Sequence, residues 1–281
     1  MGVGRPRRST RAARPDMGRT LGSLPMENTL LIGLSRQIAL QRELDVVANN
    51  VANMNTTGFK ADGAIFEEYL MPTAQAAGFQ GADRRVSYVQ DRATWRDFGS
   101  GPIRPTGNPL DVAIDGDAFF VVQTPRGQRY TRNGAFQINA QGELVTSNGD
   151  RVVGDGGPIQ FQSTDNSISI NPDGTITARE GGNSRNDSAR GKLRLVRFDN
   201  VQRLQKDGTT LFNTPAGVAP QEAGTSSRVK QGSIEQSNVH SVVEMARMIE
   251  VTRTYTQITA MMQQFSDLRR SAVEKLAEVP A

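Results

Sequence analysis

Two apolar stripes of heptad spacing, one near each end of the chain, constrain this sequence more than any other feature. Leu40, Leu44, Val47, Val51 and Met54 are spaced 4, 3, 4 and 3. Met248, Val251, Tyr255, Ile258, Met262 and Phe265 are spaced 3, 4, 3, 4 and 3. Alternating steps of three and four keep every residue on one side of an α-helix. A strict seven-residue repeat also favours a partner helix wound along the seam. The first stripe predicts a helix over 27–57, with Leu30, Leu31, Leu34 and Ile38 extending its apolar face toward the start. The second predicts a helix over 238–277, unbroken because no Gly or Pro falls between 233 and 278. About forty residues at 1.5 Å rise span roughly 60 Å. A lone helix of that length does not hold unless something covers its seam. The economical solution is that the two terminal helices pair, with the surplus stripe of the longer one left for another molecule.

Between the helices the period changes. Short apolar runs precede X-Gly pairs: LDVAI before Asp115-Gly116, AFFVVQ before Arg126-Gly127, AFQIN before Gln141-Gly142, ELVT before Asn148-Gly149 and SISI before Asp173-Gly174. Runs this short, punctuated by turn residues, build antiparallel hairpins. The fold class is therefore α+β: a discontinuous helical domain formed by the N- and C-terminal heptad helices, with an inserted all-β, hairpin-rich body. The expected division is a basic leader over 1–25, a first assembly helix over 26–60 and a connecting segment of loop and short strands over 61–97. A β-rich body over 98–235 and a second assembly helix over 236–281 follow. The stretch 181–191 (GGNSRNDSARG) reads as a mobile surface loop. Gly at 28 and aromatic residues at 6% predict many turns rather than a dense aromatic core.

The charge is unevenly placed. Residues 1–25 hold six Arg and one acid, net +5, against +4 for the whole chain, so the remainder is nearly neutral. That segment reads as a disordered leader, or as a start assigned too early with Met26 first. It lacks the apolar run of a secretory signal. No stretch is long and apolar enough to suggest membrane insertion. Basic residues in the body are dispersed among acids, without paired aromatics to stack bases, so no nucleic acid is expected.

Chemistry-bearing constellations are sparse. There is no Cys, which removes disulfides and thiolate metal sites. His240 is the single His. It opens a helix and lacks any H-E-x-x-H or G-x-S-x-G context, so it reads as a solvated or interface His. Asp111, Asp115 and Asp117 are spaced 4 and 2 across apolar residues, which suits a strand and an Asp-Gly turn better than a calcium loop. Gly149, Gly154, Gly156 and Gly157 do not form a phosphate cradle. No enzyme, cofactor or metal is expected.

At the end of the first stripe, ANNVANMNTTGFK (48–60) crowds Asn49, Asn50, Asn53 and Asn55 into seven positions. Asn is a poor helix former because its amide competes for the backbone. The Asn side chains fall off the apolar seam, so their amides are expected to meet neighbouring subunits or their own helix end. Gly58 supplies the left-handed position that stops the helix, and Phe59 anchors the departing chain on the β body.

These residues also carry a resemblance. VVANNVANMNTTGFK (46–60) resembles the amino-terminal signature of the bacterial flagellar rod and hook family. TGNPLDVAIDGDAF (106–119) and YTRNGAFQINAQGELVTSNGDRVVG (130–154) resemble its β segments, and GSIEQSNVHSVVEMARMIEVTRTYT (232–256) resembles its ending. The likeness covers nearly everything from Met26 onward and sides with proximal more than distal rod members. It implies a structural subunit exported without a cleavable signal through the flagellar type III channel. It also implies a periplasm-spanning rod of the basal body that transmits torque. The partners implied are proximal and distal rod subunits and copies of itself, joined by screw-related contacts that build a filament. The expected assembly interface is Leu40, Leu44, Val47, Asn49, Asn50, Val51, Asn53 and Met54 with Met248, Val251, Tyr255, Ile258, Met262 and Phe265. A second reading is a β-body module that binds peptidoglycan through 71–85 and 181–191.

Overall fold

Two long helices frame a body of antiparallel strands. The computed structural model describes residues 25–72, 85–181 and 187–277. The basic leader before Pro25 lies outside them. Helix α1 runs from Pro25 to Ala52 and helix α2 from Ser241 to Ala277. Pro at the first position of α1 suits a site whose N–H has no intrahelical partner.

Helix α1 ends five residues earlier than its stripe predicts, so Met54 lies past the helix. The asparagines are the cause. The Asn53 N–H and its side-chain Nδ2 both donate to the Asn49 carbonyl, at 3.1 and 2.9 Å. Thr56 Oγ1 then donates to Asn53 Oδ1 at 3.1 Å. Side-chain bonds of this kind satisfy the terminal carbonyls without another helical turn. Gly58 does take the left-handed conformation, φ 68°, but only after this capped turn.

The segment expected to be loop and short strands is a long hairpin instead. Strand β1 (Asp62–Pro72) pairs antiparallel with β2 (Arg85–Arg96), and the hairpin packs against α1. A bulge after Ile65 shifts the register. It breaks the period-two pattern that would have marked the strand in sequence. An isolated two-stranded hairpin is marginal in water, so its packing on α1 stabilises both.

The body is organised around strand Phe119–Thr124. It pairs with Gly127–Thr131 on one side and with Arg151–Gly154 and Leu195–Arg197 on the other. Its alternate residues enter two separate cores. Phe120 and Val122 join Val112, Phe136, Leu144 and Ile176 in one. Phe119 and Val121 join Tyr130, Val196, Phe198 and Phe212 in the other. The second core concentrates the few aromatics, contrary to the expectation from composition. Phe119 meets Phe212 edge-on at 6.0 Å, and Tyr130 meets Phe198 at 4.9 Å. The body's first and last strands close on each other, Ile103–Pro105 pairing with Ser233–Glu235. Entry and exit of the body are therefore neighbours, at the roots of both helices.

The stretch read as a mobile loop is partly a strand. Asp187–Lys192 pairs with Thr175–Glu180, while residues 182–186 lie outside the described residues. Arg190 holds it, with Nε 2.8 Å and Nη2 2.5 Å from the Asp165 carboxylate. Burial pushes the Asp165 carboxyl up, but the Arg190 guanidinium and the Gln162 N–H outweigh it and hold the group below 3.8. A depressed carboxylate contributes stability that is complete above the unfolded value and lost as pH falls through the folded one. Below pH 3.8, this three-stranded sheet is expected to lose hydrogen-exchange protection earlier than strand Phe119–Thr124. Arg190→Ala is expected to lower its protection at neutral pH and remove that acid step. Equal acid sensitivity in both strands would contradict the assignment.

Candidate assembly interface

Helices α1 and α2 lie antiparallel. Gln37 Nε2 donates to Tyr255 Oη at 3.0 Å and to Thr259 Oγ1 at 3.3 Å. Arg247 Nη2 stands 2.7 Å from Glu43 Oε1, and the Met262 side chain lies against Gly33. Val47 and Val251 are buried. Leu40, Leu44, Val51, Met54, Met248, Tyr255, Ile258 and Met262 are half-buried, and Phe265 is exposed beyond them.

Both helices leave apolar residues exposed, α2 more of them. Helix α1 also buries Ala39, Val46 and Asn50 and packs against the hairpin, but Leu34 and Ile38, expected on its apolar face, are exposed toward its start. Helix α2 leaves two apolar groups in solvent. Val242, Met245 and Ile249, at steps of three and four, lie on its far side from the seam, and Ile249 is 70% exposed. Met261, Phe265 and Leu268, at steps of four and three, flank the seam, and all three are exposed. Exposed apolar groups at helical spacing are a usual mark of interaction faces.

The asparagines divide by role. Asn50 is fully buried within the chain. Its Nδ2 donates to the Asp62 carbonyl at 2.8 Å and to Glu244 Oε2 at 3.3 Å, and its Oδ1 accepts the Asp62 N–H at 3.0 Å. One side chain therefore ties α1 to β1 and α2. Asn53 is spent on its own helix end, and Asn49 Oδ1 meets Lys206 Nζ at 3.5 Å. Asp62 also pairs with Arg96 at 2.8 Å and Lys206 at 2.5 Å. Lys206 stands 4.5 Å from the ring of the fully buried Phe59, a cation–π contact.

A second polar cluster lies one step deeper. Lys60, Arg132 and Glu235 have side chains at most 1% exposed. Lys60 Nζ is 2.6 Å from Glu235 Oε1 and donates to the Gly99 carbonyl at 2.7 Å. The Gly101 N–H donates to the same Oε1 at 2.9 Å, and Arg132 Nη1 lies 3.5 Å from Oε2. Burial pushes the Lys60 ammonium below its ordinary value. Glu235 opposes that shift and Arg132 adds to it. Burial lowers the Arg132 guanidinium likewise. Asn238 completes the collar, accepting the Ala61 N–H at 2.8 Å and donating to the Asp97 carbonyl at 2.8 Å.

Sequence reasoning found the apolar seam but assigned no role to Lys60, Asp62, Arg132, Lys206, Glu235 or Asn238. A charged residue inside an apolar context, Lys60 after Gly-Phe and Glu235 after Ser-Ile, was the available signal. His240 has an exposed side chain, and its carbonyl accepts the Glu244 N–H at 3.0 Å in the first turn of α2.

Comparisons with known proteins follow this architecture. Residues 30–60 match the family described as flagella basal body rod protein. Residues 113–178 match the flagellar hook protein FlgE/F/G D1 domain, and residues 230–274 the flagellar basal body rod FlgEFG protein C-terminal region. The chain is 41% identical over 258 residues to the flagellar basal-body rod protein FlgF of Caulobacter vibrioides, spanning 90% of this chain and 100% of that one. It is 36% identical over 256 residues to FlgF of Mesorhizobium japonicum, spanning 89% and 98%. It is 36% identical over 232 residues to the rod protein FlgG of Buchnera aphidicola subsp. Baizongia pistaciae, spanning 77% and 87%.

Proposed function

The chain belongs to the flagellar basal-body rod protein family, and from that premise we propose that it is a structural subunit of the rod, of the FlgF kind, polymerising through its terminal helices. It is a structural component and not an enzyme. The FlgF relatives span 89–90% of the chain and the FlgG relatives 77–82%, which supports the proximal over the distal position. Residues 26–60 and 236–281 form the discontinuous assembly domain, 98–235 the β body, and 61–97 the hairpin that joins them and covers α1. The subunit is exported through the flagellar type III channel and joins the periplasm-spanning rod. There its neighbours are proximal and distal rod subunits and copies of itself. The stretches 71–85 and 181–191, named for a peptidoglycan-binding module, fall partly outside the described residues.

The observation that supports the interface is the apolar surface that the helix pair leaves uncovered, most of it on α2. The seam residues Leu40, Leu44, Val47, Val51, Met248, Val251, Tyr255, Ile258 and Met262 join α1 to α2 as a coiled-coil-like pair. Neighbouring subunits then take the two free apolar groups of α2, Val242, Met245 and Ile249 near its start and Met261, Phe265 and Leu268 further along. Long apolar contacts shared among several neighbours resist twist, as a torque-bearing rod requires.

Val242→Glu with Ile249→Glu tests this reading. Both positions are exposed, so the purified subunit is expected to keep its stability within about 0.5 kcal/mol per site. Cells carrying it as their only copy are expected not to swim, with flagellar assembly halted at the rod. Normal swimming would rule out that face.

A further inference from the structure

Asn-Gly occurs twice in the chain, at Asn133-Gly134 and Asn148-Gly149. The two steps are alike in sequence and unlike in the fold. We propose that Asn148-Gly149 is a site of spontaneous covalent modification, in which Asn148 loses its side-chain amide and becomes aspartate or isoaspartate, while the fold protects Asn133-Gly134 from the same change. The inference concerns the folded β body alone and stands independently of the chain's place in a rod.

The reaction needs no reagent but water. The Gly backbone nitrogen attacks the Asn side-chain carbonyl carbon and a C–N bond forms. The nitrogen's proton leaves with the amide as ammonia, and a five-membered succinimide remains. Water then opens the ring at either carbonyl. One opening gives aspartate. The other gives isoaspartate, in which the main chain runs through the former side chain. Glycine favours the attack because no Cβ shields its nitrogen. The fold then decides whether the amide is free to turn and whether the backbone is free to follow.

Both freedoms exist at Asn148. Asn148 and Gly149 are exposed, in the loop between strands Leu144–Thr146 and Arg151–Gly154. Among the described residues, no hydrogen bond holds the Asn148 side chain. A Cβ at Gly149 would meet nothing within 4 Å, so the turn has room to deform. The restraint is local: the Gly149 N–H donates to the Thr146 carbonyl at 2.9 Å. At Asn133 both freedoms are lost. Its Oδ1 accepts the Ala135 N–H at 3.0 Å, and its own N–H donates to Thr131 Oγ1 at 3.0 Å. Gly134 is buried, and a Cβ there would overlap the Val112 carbonyl. The Gly134 carbonyl also accepts the Val112 N–H at 2.9 Å, and Val112 belongs to the core. Attack at Asn133 therefore requires this segment to leave the core first. The change at Asn148 places a new carboxylate two residues from Asp150. As isoaspartate it also adds a main-chain atom to a loop that the Thr146 N–H closes on the Asp150 carbonyl at 2.8 Å.

The test uses the purified full-length subunit, warmed at mildly alkaline pH and sampled over time. Tryptic cleavage after Arg132 and Arg151 releases both sites in one peptide, 133–151. Tandem mass spectrometry then assigns the loss of amide to either Asn. Asn148 is expected to convert, and Asn133 to lag by about tenfold or more, a factor set by the free energy of local opening. In concentrated urea, with the body unfolded, the two are expected to convert at similar rates. Equal rates in the folded subunit, an Asn148 that stays intact, or the same selectivity in urea would each overturn the proposal.

Discussion

Val251→Asp is expected to separate the two terminal helices and leave the β body intact. Val251 is 5% exposed, and its face of α2 meets the face of α1 that buries Val47. A carboxylate there would sit among apolar seam residues, and Arg247, one turn away, is already paired with Glu43. Burying an unpaired charge costs about 3 kcal/mol or more, which is a large share of what holds one helix pair. Val251→Ala removes only packing and is expected to cost about 2 kcal/mol. The aspartate should therefore lower helical ellipticity, and the alanine should mainly lower the urea midpoint. Hydrogen exchange would localise the damage, with α1 and α2 losing protection while strand Phe119–Thr124 keeps it. Motility should fail with Val251→Asp, as with Val242→Glu/Ile249→Glu, but for a different reason. The first variant damages the subunit and the second only its contact with neighbours. Unchanged helical content and normal swimming in Val251→Asp would show that the seam does not hold the pair.

The parts legible in sequence are those set by local periodicity. Both helices announce themselves by spacing, because three-and-four steps survive any tertiary context. The hairpins of the body do so by short runs between X-Gly pairs. What was misread depends on partners that local spacing does not encode. Helix α1 stops at Ala52 because Asn53 turns its amide back onto the Asn49 carbonyl, whereas the apolar stripe continues to Met54. The β1–β2 hairpin was missed because its bulge after Ile65 breaks the alternation. Strand Asp187–Lys192 looked like a loop because its residues are small, polar or charged and include a Gly, with no apolar alternation. Its anchor is Asp165, 25 residues away.

The same reasoning explains the candidate site. The apolar seam of the helix pair was legible, since Val47 and Val251 lie on their stripes and are buried. The polar collar was not. Lys60 is 175 residues from Glu235, and Arg132 is 103 from it. Separations of that size leave no periodic trace. Composition misled in a similar way, because 6% aromatic residues is a chain average. Phe98, Phe119, Tyr130, Phe198 and Phe212 gather in one core. Averages report how much of a residue type exists, and packing decides where it goes.

Gly58→Ala is expected to be among the most damaging single-atom-group changes in the chain, although it adds only a methyl. Gly58 holds φ 68°, a left-handed conformation that costs a residue with a Cβ about 1–2 kcal/mol. The new carbon would also stand 2.4 Å from the Asn133 nitrogen and 2.5 Å from the Arg132 carbonyl carbon. Those are backbone atoms, so no rotamer change relieves the overlap and the 56–61 segment must move. Such movement threatens the Gly58 N–H bond to the Glu235 carbonyl and the seats of Phe59 and Lys60, both buried. The combined loss is expected to reach about 3–5 kcal/mol, read as a fall in the urea midpoint. Gly149 provides the control. It also has positive φ, 86°, but a Cβ there meets nothing within 4 Å. Gly149→Ala should therefore cost only the conformational share, about 1–2 kcal/mol. The excess in Gly58→Ala measures the crossing of the α1 root over the body's backbone. Equal losses at the two sites would mean that the crossing is loose. In that case Gly58 would serve only as a turn, and the collar would have to be held by its charges alone.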